Sequence, residues 1–350
     1  MPGLLVIFLG LTGCQSGVHK SAIKQALVQP DTRLLQESAH QNLSLNLAYD
    51  YQIIGLPNLT PLSIQQLAQR LKQYDVIFIG EFHGNHASHL LEAHLLQALH
   101  QQNTEITLSM EMFNRDQQAL LDQYLDSEIG ETFLINEAPA WQNYKGGYRP
   151  LIEYAKQNFI PVIAANASAD IVRCIGRNGA GYLKKLSPHE RRLIAATPFK
   201  DNKRYRKKYM ALMDTVRKLS PLRKEQSYLA QLTRDNTLAE SIYQAWLNAS
   251  KQQIIHVNGS FHSEQHLGTV SALKALDPSL SMAVITPIRV SESERNQPIQ
   301  QIIESLPSEQ IFVDEALYFV LGQPEPFKDA DYKQKLRKAM FSQSDQALCH

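Results

Sequence analysis

Residues 75–83, D-V-I-F-I-G-E-F-H, constrain the fold of this chain more than any other stretch. A short apolar run there meets a glycine and is followed at once by a carboxylate and an imidazole. Residues 76–79 read as a strand buried on both faces, because a half-exposed strand would alternate polar and apolar side chains. Gly80 is expected to end it. His83, Gly84 and Asn85 then lead into Leu90, Leu91, His94, Leu95, Ala98 and Leu99, which space as one face of a helix with Asn85 as its N-cap. In an open parallel sheet such a strand-to-helix turn lies at the carboxyl edge, where ligands bind, which puts Glu81 and His83 toward the usual site.

The same grammar recurs along the 350 residues. Residues 62–71 read as a helix with Pro61 in its first turn. Residues 106–110 read as a second strand running into Glu111, followed by a helix at 115–125. A loop with Trp141, Tyr144, Gly146, Gly147 and Tyr148 precedes a helix at 150–157. A third strand at 160–165 ends at Asn166. A fourth at 254–257 ends in Asn258, Gly259, Ser260, Phe261 and His262, with a helix at 264–276 beyond it. Residues 282–286 and 316–321 are later strands. Strands alternating with helices predict an α/β fold, a mostly parallel, doubly wound sheet.

One segment breaks the alternation. Residues 187–248 carry helical periodicity and no strand pattern, so they are expected as an inserted helical subdomain. Its first part is basic, with Lys200, Lys203, Arg204, Arg206, Lys207 and Lys208 interleaved with Tyr205 and Tyr209. Such a run is either a solvated helix face or a grip on ligand carboxylates or anionic lipid headgroups. The last part spaces apolar residues around the polar pair Arg234 and Asp235.

Charge narrows the partners. Lys plus Arg (35) nearly cancels Asp plus Glu (34), so nothing in the composition argues for nucleic acid. The three cysteines, Cys14, Cys174 and Cys349, share no C-x-x-C spacing, which excludes a zinc ribbon or a thioredoxin-like site, and no disulfide framework is visible. Cys14 follows an apolar stretch at 4–11 and closes the tetrapeptide L-T-G-C, which resembles a bacterial lipobox. The stretch is too short to span a bilayer, which needs ~20 apolar residues. Residues 1–14 are therefore expected as a lipoprotein signal peptide with Cys14 lipidated, and 15–60 as a tether and N-terminal arm. A lipid anchor would hold the protein at a bacterial membrane in the cell envelope, with the periplasmic side or surface of the outer membrane as the expected place.

Collecting the strand ends gives Glu81 and His83, then Glu111, Asn166 and His262, all on one sheet edge. Two G-x-x-H elements, at 80–83 and 259–262, each follow an apolar strand. Glycine permits close backbone approach, while imidazoles and carboxylates supply metal ligands or an acid/base pair. His86, His89 and His94 invite a metal-cluster reading, since His86 and His89 are three apart and could share a helix face, but they read first as helix-surface or supporting groups. No H-E-x-x-H, P-loop, G-x-S-x-G or G-x-G-x-x-G pattern follows a strand.

Taken with Y-R-P-L-I-E-Y-A, P-V-I-A-A-N, Q-L-T-R-D-N-T-L-A-E-S-I and V-N-G-S-F-H, these stretches resemble the ChaN-like haem-binding lipoproteins, within the superfamily that includes Tiki-type and erythromycin-esterase-like proteins. The resemblance covers about 62–286 and implies an α/β domain at 61–350 that binds haem for iron uptake. It also implies a homodimer on haem binding, with a tyrosine from one subunit on the iron and a histidine from the other near a propionate, and a haem receptor or transporter as a partner. Tyr205 and Tyr209 are the candidate ligands from their basic surroundings, which would lower a phenol pKa, and His83 and His262 the candidate histidines. The enzymatic relatives imply the alternative of a divalent-metal-dependent hydrolase using Mn, Co or Zn. In that reading Glu81, His83, Glu111 and His262 are the metal ligands or acid/base groups. A purely structural envelope lipoprotein, its polar strand ends serving only to cap helices, is the third possibility.

Overall fold

The computed structural model describes residues 41–138, 143–216, 219–249, 252–306, 314–324, 328–336 and 349. Cys14, the rest of the expected leader, the tether through residue 40 and Trp141 lie outside the described residues. Among the described residues no helix is long and apolar enough to cross a membrane.

The strands are β1 (Tyr51–Gly55), β2 (Thr60–Leu62), β3 (Val76–Glu81), β4 (Ile106–Asn114), β5 (Val162–Asn166), β6 (Gln253–Gly259), β7 (Met282–Val290) and β8 (Ala316–Leu321). They form one sheet in the order β2-β1-β8-β7-β3-β6-β4-β5. The six strands from β8 to β5 are parallel, and β1 closes one side antiparallel to both β8 and β2. This is the doubly wound α/β fold that the alternation predicts. β3 sits at its centre, buried at all six residues, which is why its sequence is a continuous apolar run rather than an alternating one.

Two of the expected boundaries move. β3 runs through Gly80 and Glu81, which pair with Asn258 and Gly259 of β6, so the glycine does not end the strand. Its small size is needed because a Cβ there would come within 3.1 Å of the Ser260 Cα and 3.2 Å of the Ile285 carbonyl oxygen. Pro61 lies in β2 rather than in a helix, and the helix Ile64–Leu71 starts from Ser63, whose hydroxyl accepts from the Gln66 N–H in a capping box. The expected N-terminal arm is thus partly sheet: β1 lies within it, and Leu43 and Leu45 are buried against the far end of the molecule with Ile288, Val290 and Phe319.

Helices cover both faces. His86–Gln102 and Arg149–Gln157 pack on one through Leu91, Leu95, Leu151 and Ile152 against Ile77, Ile79 and Val257. Thr269–Leu276 and the long helix Pro221–Asn248 pack on the other, where Ala239, Ile242, Val270 and Leu273 meet Val76, Phe78 and Val284. The neighbours β3 and β6 therefore send the chain to opposite faces, and the crevice at their carboxyl ends is the switch point where open α/β sheets bind ligands. Between residues 187 and 248 every described element is helical, and Pro221–Asn248 rises from the sheet face to stand over that crevice.

Candidate functional site

The crevice is built on Gly259. The Glu111 Oε2 accepts a hydrogen bond from its N–H (2.7 Å), and the His83 ring lies across it, so that a Cβ at this position would stand 2.6 Å from His83 Nε2. Glu81 faces it in register across the β3–β6 pair. A shift of register in β4 between Met110 and Asn114 falls at Glu111, where such an irregularity re-aims a side chain off the strand. Glu81, His83 and His262 line a cleft of about 500 Å³, and Glu111, Asn166 and His262 line an adjoining one of about 390 Å³. The structure thus brings the strand-end residues together around one junction.

His262 is held from both sides. Its Nδ1 bonds Asp235 Oδ1 (2.7 Å) from the long helix, and its Nε2 lies 3.4 Å from Glu111 Oε1. Burial works against its charge, but Glu111 and Asp235 outweigh burial and raise its pKa to about 10. Burial pushes Glu111 the other way, and the charges of His262 and His83 with the Gly259 N–H overcome it, holding this carboxyl well below the ordinary range. The two form a buried ion pair at neutral pH. With both ring nitrogens donating, His262 offers no lone pair, so a cation on Nε2 would have to displace that proton.

His83 differs. Its Nδ1 donates to Glu81 Oε1 (2.6 Å), and Tyr148 OH donates to the same oxygen (2.7 Å). In the neutral ring this leaves the lone pair on Nε2, the arrangement in which a carboxylate orients a metal-binding or basic imidazole. Its side chain is 40% exposed, whereas that of His262 is 9% exposed. Burial lowers the His83 pKa, yet the Glu81 hydrogen bond and charge, with Glu111, give a net rise.

Behind Glu81 lies a buried group in which His89 turns inward rather than lying on the helix surface and Glu92 is a member that sequence reasoning did not single out. His89 Nδ1 is 3.1 Å from Glu81 Oε2 and 3.2 Å from Glu92 Oε2. These three could hold a cation by distance, since one ligand atom from each lies within 4.8 Å of the others. The Gly84 N–H, however, donates to His89 Nε2 (3.2 Å), so the ring's own proton is on Nδ1 and points between the carboxyls. Burial, then the neighbouring Glu81, pushes Glu92 well above the usual carboxylate pKa. The group therefore reads as a Glu92 carboxyl favoured in its neutral form beside Glu81, with the His89 N–H between them, rather than as an open cation site. Glu92 is legible only as a charged residue on the otherwise apolar face of His86–Gln102, and Asp235 only as half of the polar pair on the long helix.

The tyrosines turn inward. Tyr205 and Tyr209 are buried on the helix Lys203–Val216 against Tyr228, Leu232 and Leu267. The Tyr205 hydroxyl accepts from Gln231 Nε2 (2.9 Å), and burial together with Asp235 raises its pKa, the reverse of the lowering expected from its basic neighbours. The Tyr209 hydroxyl shares a hydrogen bond with Ser227 Oγ (2.6 Å), while its ring lines the larger cleft. The basic residues split by helix face. Lys203, Arg204 and Lys207 are exposed, Arg206 pairs with Glu225, and Lys208 pairs with Glu264 (2.9 Å).

The cleft suits a flat, largely apolar ligand with acidic edges. Phe82, Phe261, Leu212 and Met213 form its walls, and the exposed Arg289, whose guanidinium lies 4.5 Å over the Phe82 ring, stands at its rim. His83 Nε2 is a donor able to meet a metal centre there. Chemically, two imidazoles each backed by a carboxylate, with Glu111 beside them, can also bind and move protons at a bound group.

Comparison with known proteins agrees on the fold. The structure of ChaN of Campylobacter jejuni, described as showing cofacial haem binding, superposes on 79% of this chain and all of that one with a TM-score of 0.56 at 16% identity, which establishes a shared fold. An erythromycin esterase in its open conformation matches over 79% of this chain and 99% of that one, with a TM-score of 0.45 and 10% identity. The curated Protein RETICULATA-RELATED 5, chloroplastic, of Arabidopsis thaliana is 24% identical over 153 residues, 41% of this chain, and the chain spans 20% of that protein's length. The model of the family described as haem-binding uptake, Tiki superfamily, ChaN matches residues 67–273, well over half of the chain, and the chain belongs to that family.

Proposed function

We propose that this protein binds haem in the cleft between the β3–β6 edge and the helical cap, and that it does so in haem or iron uptake as a lipoprotein of the bacterial envelope anchored at Cys14. The observation that carries the reading is the wall chemistry of the larger cleft: four apolar or aromatic side chains, one rim arginine suited to a propionate, and an imidazole nitrogen whose lone pair is fixed by a carboxylate. The family description and the cofacial haem binding of the Campylobacter jejuni protein support haem as the ligand, and a homodimer closing around it is part of the same proposal. The Cys174–Cys349 disulfide suits an oxidising compartment outside the cytoplasm. A haem bound here would be held by His83 at the iron and by Arg289 at an acidic edge, and it would supply the iron that uptake delivers. A receptor or transporter would take it from there.

The test is a haemin titration followed by absorption spectroscopy. Saturable binding is expected, and His83→Ala is expected to alter the Soret band and weaken binding at least about tenfold, the loss of one strong metal–ligand contact. Tyr205→Phe and Tyr209→Phe should leave the spectrum unchanged, because both hydroxyls are engaged inside the cap. Absence of saturable binding sinks the proposal.

One observation favours a second reading, a divalent-metal-dependent hydrolase. His83 and His262 are each backed by a carboxylate and meet Glu111 around one junction, which is acid/base machinery beyond what a carrier requires. Ester and peptide hydrolysis measured with Mn, Co or Zn, and lost in Glu111→Gln and His262→Ala, would establish it. No turnover with any of the three metals would dismiss it.

A further inference from the structure

The smaller chamber, on the other side of His262, holds a guanidinium that the proposed function does not use. Arg234 comes from the long helix, and its one hydrogen bond among the described residues runs from Nη1 to Asn166 Oδ1 at 3.5 Å, at the limit of such a contact. None of its ion pairs falls within 4.0 Å among those residues, although Glu111 and Asp235 lie near enough to act on it electrostatically. A guanidinium carries five N–H donors in a fixed fork, and Arg234 is half-buried in the chamber wall, so the donors not spent on Asn166 open onto the chamber.

Two neighbouring amides are already engaged. The Asn166 amide is already committed, its Nδ2 donating to the Glu111 carbonyl (2.9 Å) and its Oδ1 accepting from the Ala167 N–H (2.9 Å). Gln231 Nε2 donates to Tyr205. Ala169, in the first turn of the helix Ala169–Asn178, lines the same chamber, and the N-cap Ser168 makes no side-chain capping bond, so the positive end of that helix dipole adds to the field there. Glu111 sits in the same wall as an ionised carboxylate, which disfavours a dianion and leaves room for a single negative charge.

We propose that this chamber is a carboxylate subsite in which the Arg234 fork receives one carboxylate of a ligand whose apolar body occupies the larger cleft. His262 and Gln231 line both spaces, which sets the chamber and the cleft side by side at one junction. The planar pairing of guanidinium with carboxylate supplies both the match of shape and the charge-assisted hydrogen bonds. The carboxylate has two sources, a propionate edge of haem, which rests on the reading above, or the acid group of a smaller aryl-alkanoic ligand.

Isothermal titration separates them. The probes are haemin, haemin dimethyl ester, 3-phenylpropionate and its methyl ester, tested on the full chain, on Arg234→Gln and on Arg234→Lys. If the propionate is the source, the wild-type protein prefers haemin to its dimethyl ester by about tenfold or more, and Arg234→Gln removes that preference while Arg234→Lys keeps part of it. If a smaller acid is the source, 3-phenylpropionate binds in preference to its methyl ester, Arg234→Gln abolishes this, and haemin affinity does not depend on Arg234. The wild-type comparison of acid with ester needs no variant to fold. Failure of haemin to bind at all removes the haem reading and leaves the 3-phenylpropionate arm to decide this one. Acid and ester binding alike in both pairs, or preferences that survive Arg234→Gln, overturn the subsite.

Discussion

At the scale of single residues the His262–Glu111 pair makes stability depend on pH from both sides. His262 has a folded pKa raised from 6.5 to about 10, so its contribution is complete below 6.5 and is lost as the pH rises through about 10. Glu111 has a folded pKa depressed from 4.5, so its contribution is complete above 4.5 and is lost as the pH falls toward the folded value. The sum is greatest between about pH 4.5 and 6.5. Thermal unfolding against pH should show that maximum, and Glu111→Gln should flatten both limbs and cost about 3–5 kcal/mol, since removing one member of a buried pair strands the other. Unchanged limbs in the variant would show that the pair is not formed. Glu81, His83, Glu111 and His262 are legible in the sequence because each ends an apolar run. Their partners are not, since Asp235, Tyr148 and Glu92 reach the site from helices and a loop whose approach no local pattern encodes. The tyrosines mislead for a related reason: of the charges around Tyr205 in sequence, Lys203, Arg204 and Lys207 are exposed, while Arg206 and Lys208 are paired with Glu225 and Glu264.

Among the elements, the turn after β6 and the turn after β3 fit together only because Gly259 has no side chain. Its φ of −56° is open to any residue, so what glycine provides here is space for the His83 ring rather than conformational freedom. Gly259→Ala is therefore expected to cost about 1–3 kcal/mol by overpacking and to displace His83. The same change made in His83→Ala should cost much less, and a double-mutant cycle on denaturation free energies reads the difference. Additive costs would show that the ring does not lie across the glycine. β3 to β8 are readable as apolar runs bounded by turn residues. β1 and β2 are not, because β1 is half-buried with Tyr51 and Gln52 at its start and β2 is three residues long with a central proline. The opposite edge is guarded by a single side chain. Gln118 donates to the Val162 carbonyl (2.9 Å) and accepts from the Ala164 N–H (2.7 Å), occupying on β5 the groups that a further strand would pair with.

For the whole molecule, the disulfide between Cys174 and Cys349 joins parts of the chain that the sheet does not. Nothing in the cysteine spacing announces it, because 175 residues separate the partners and their proximity, with Cα atoms 5.5 Å apart, comes from tertiary structure alone. It clips the end of the chain to the helix that borders the Arg234 chamber. Closing so long a loop restricts the unfolded chain, and the expected stabilisation is about 2–4 kcal/mol, toward the upper end of what chain entropy supplies for long loops. Cys349→Ser should lower the denaturation free energy by that amount, reductant should do the same to the wild-type protein, and reductant should not affect the variant. The proposed export is tested on the same pair. If the protein is exported as proposed, trapping free thiols by alkylation in the cell should find Cys174 and Cys349 oxidised, because an exported protein meets oxidants that a cytosolic one does not. Cys14→Ser should then leave the pair oxidised while moving the protein from the membrane to the soluble fraction. Free thiols in the wild-type protein would refute export, and oxidised thiols with membrane retention of Cys14→Ser would refute the lipid anchor while leaving export standing.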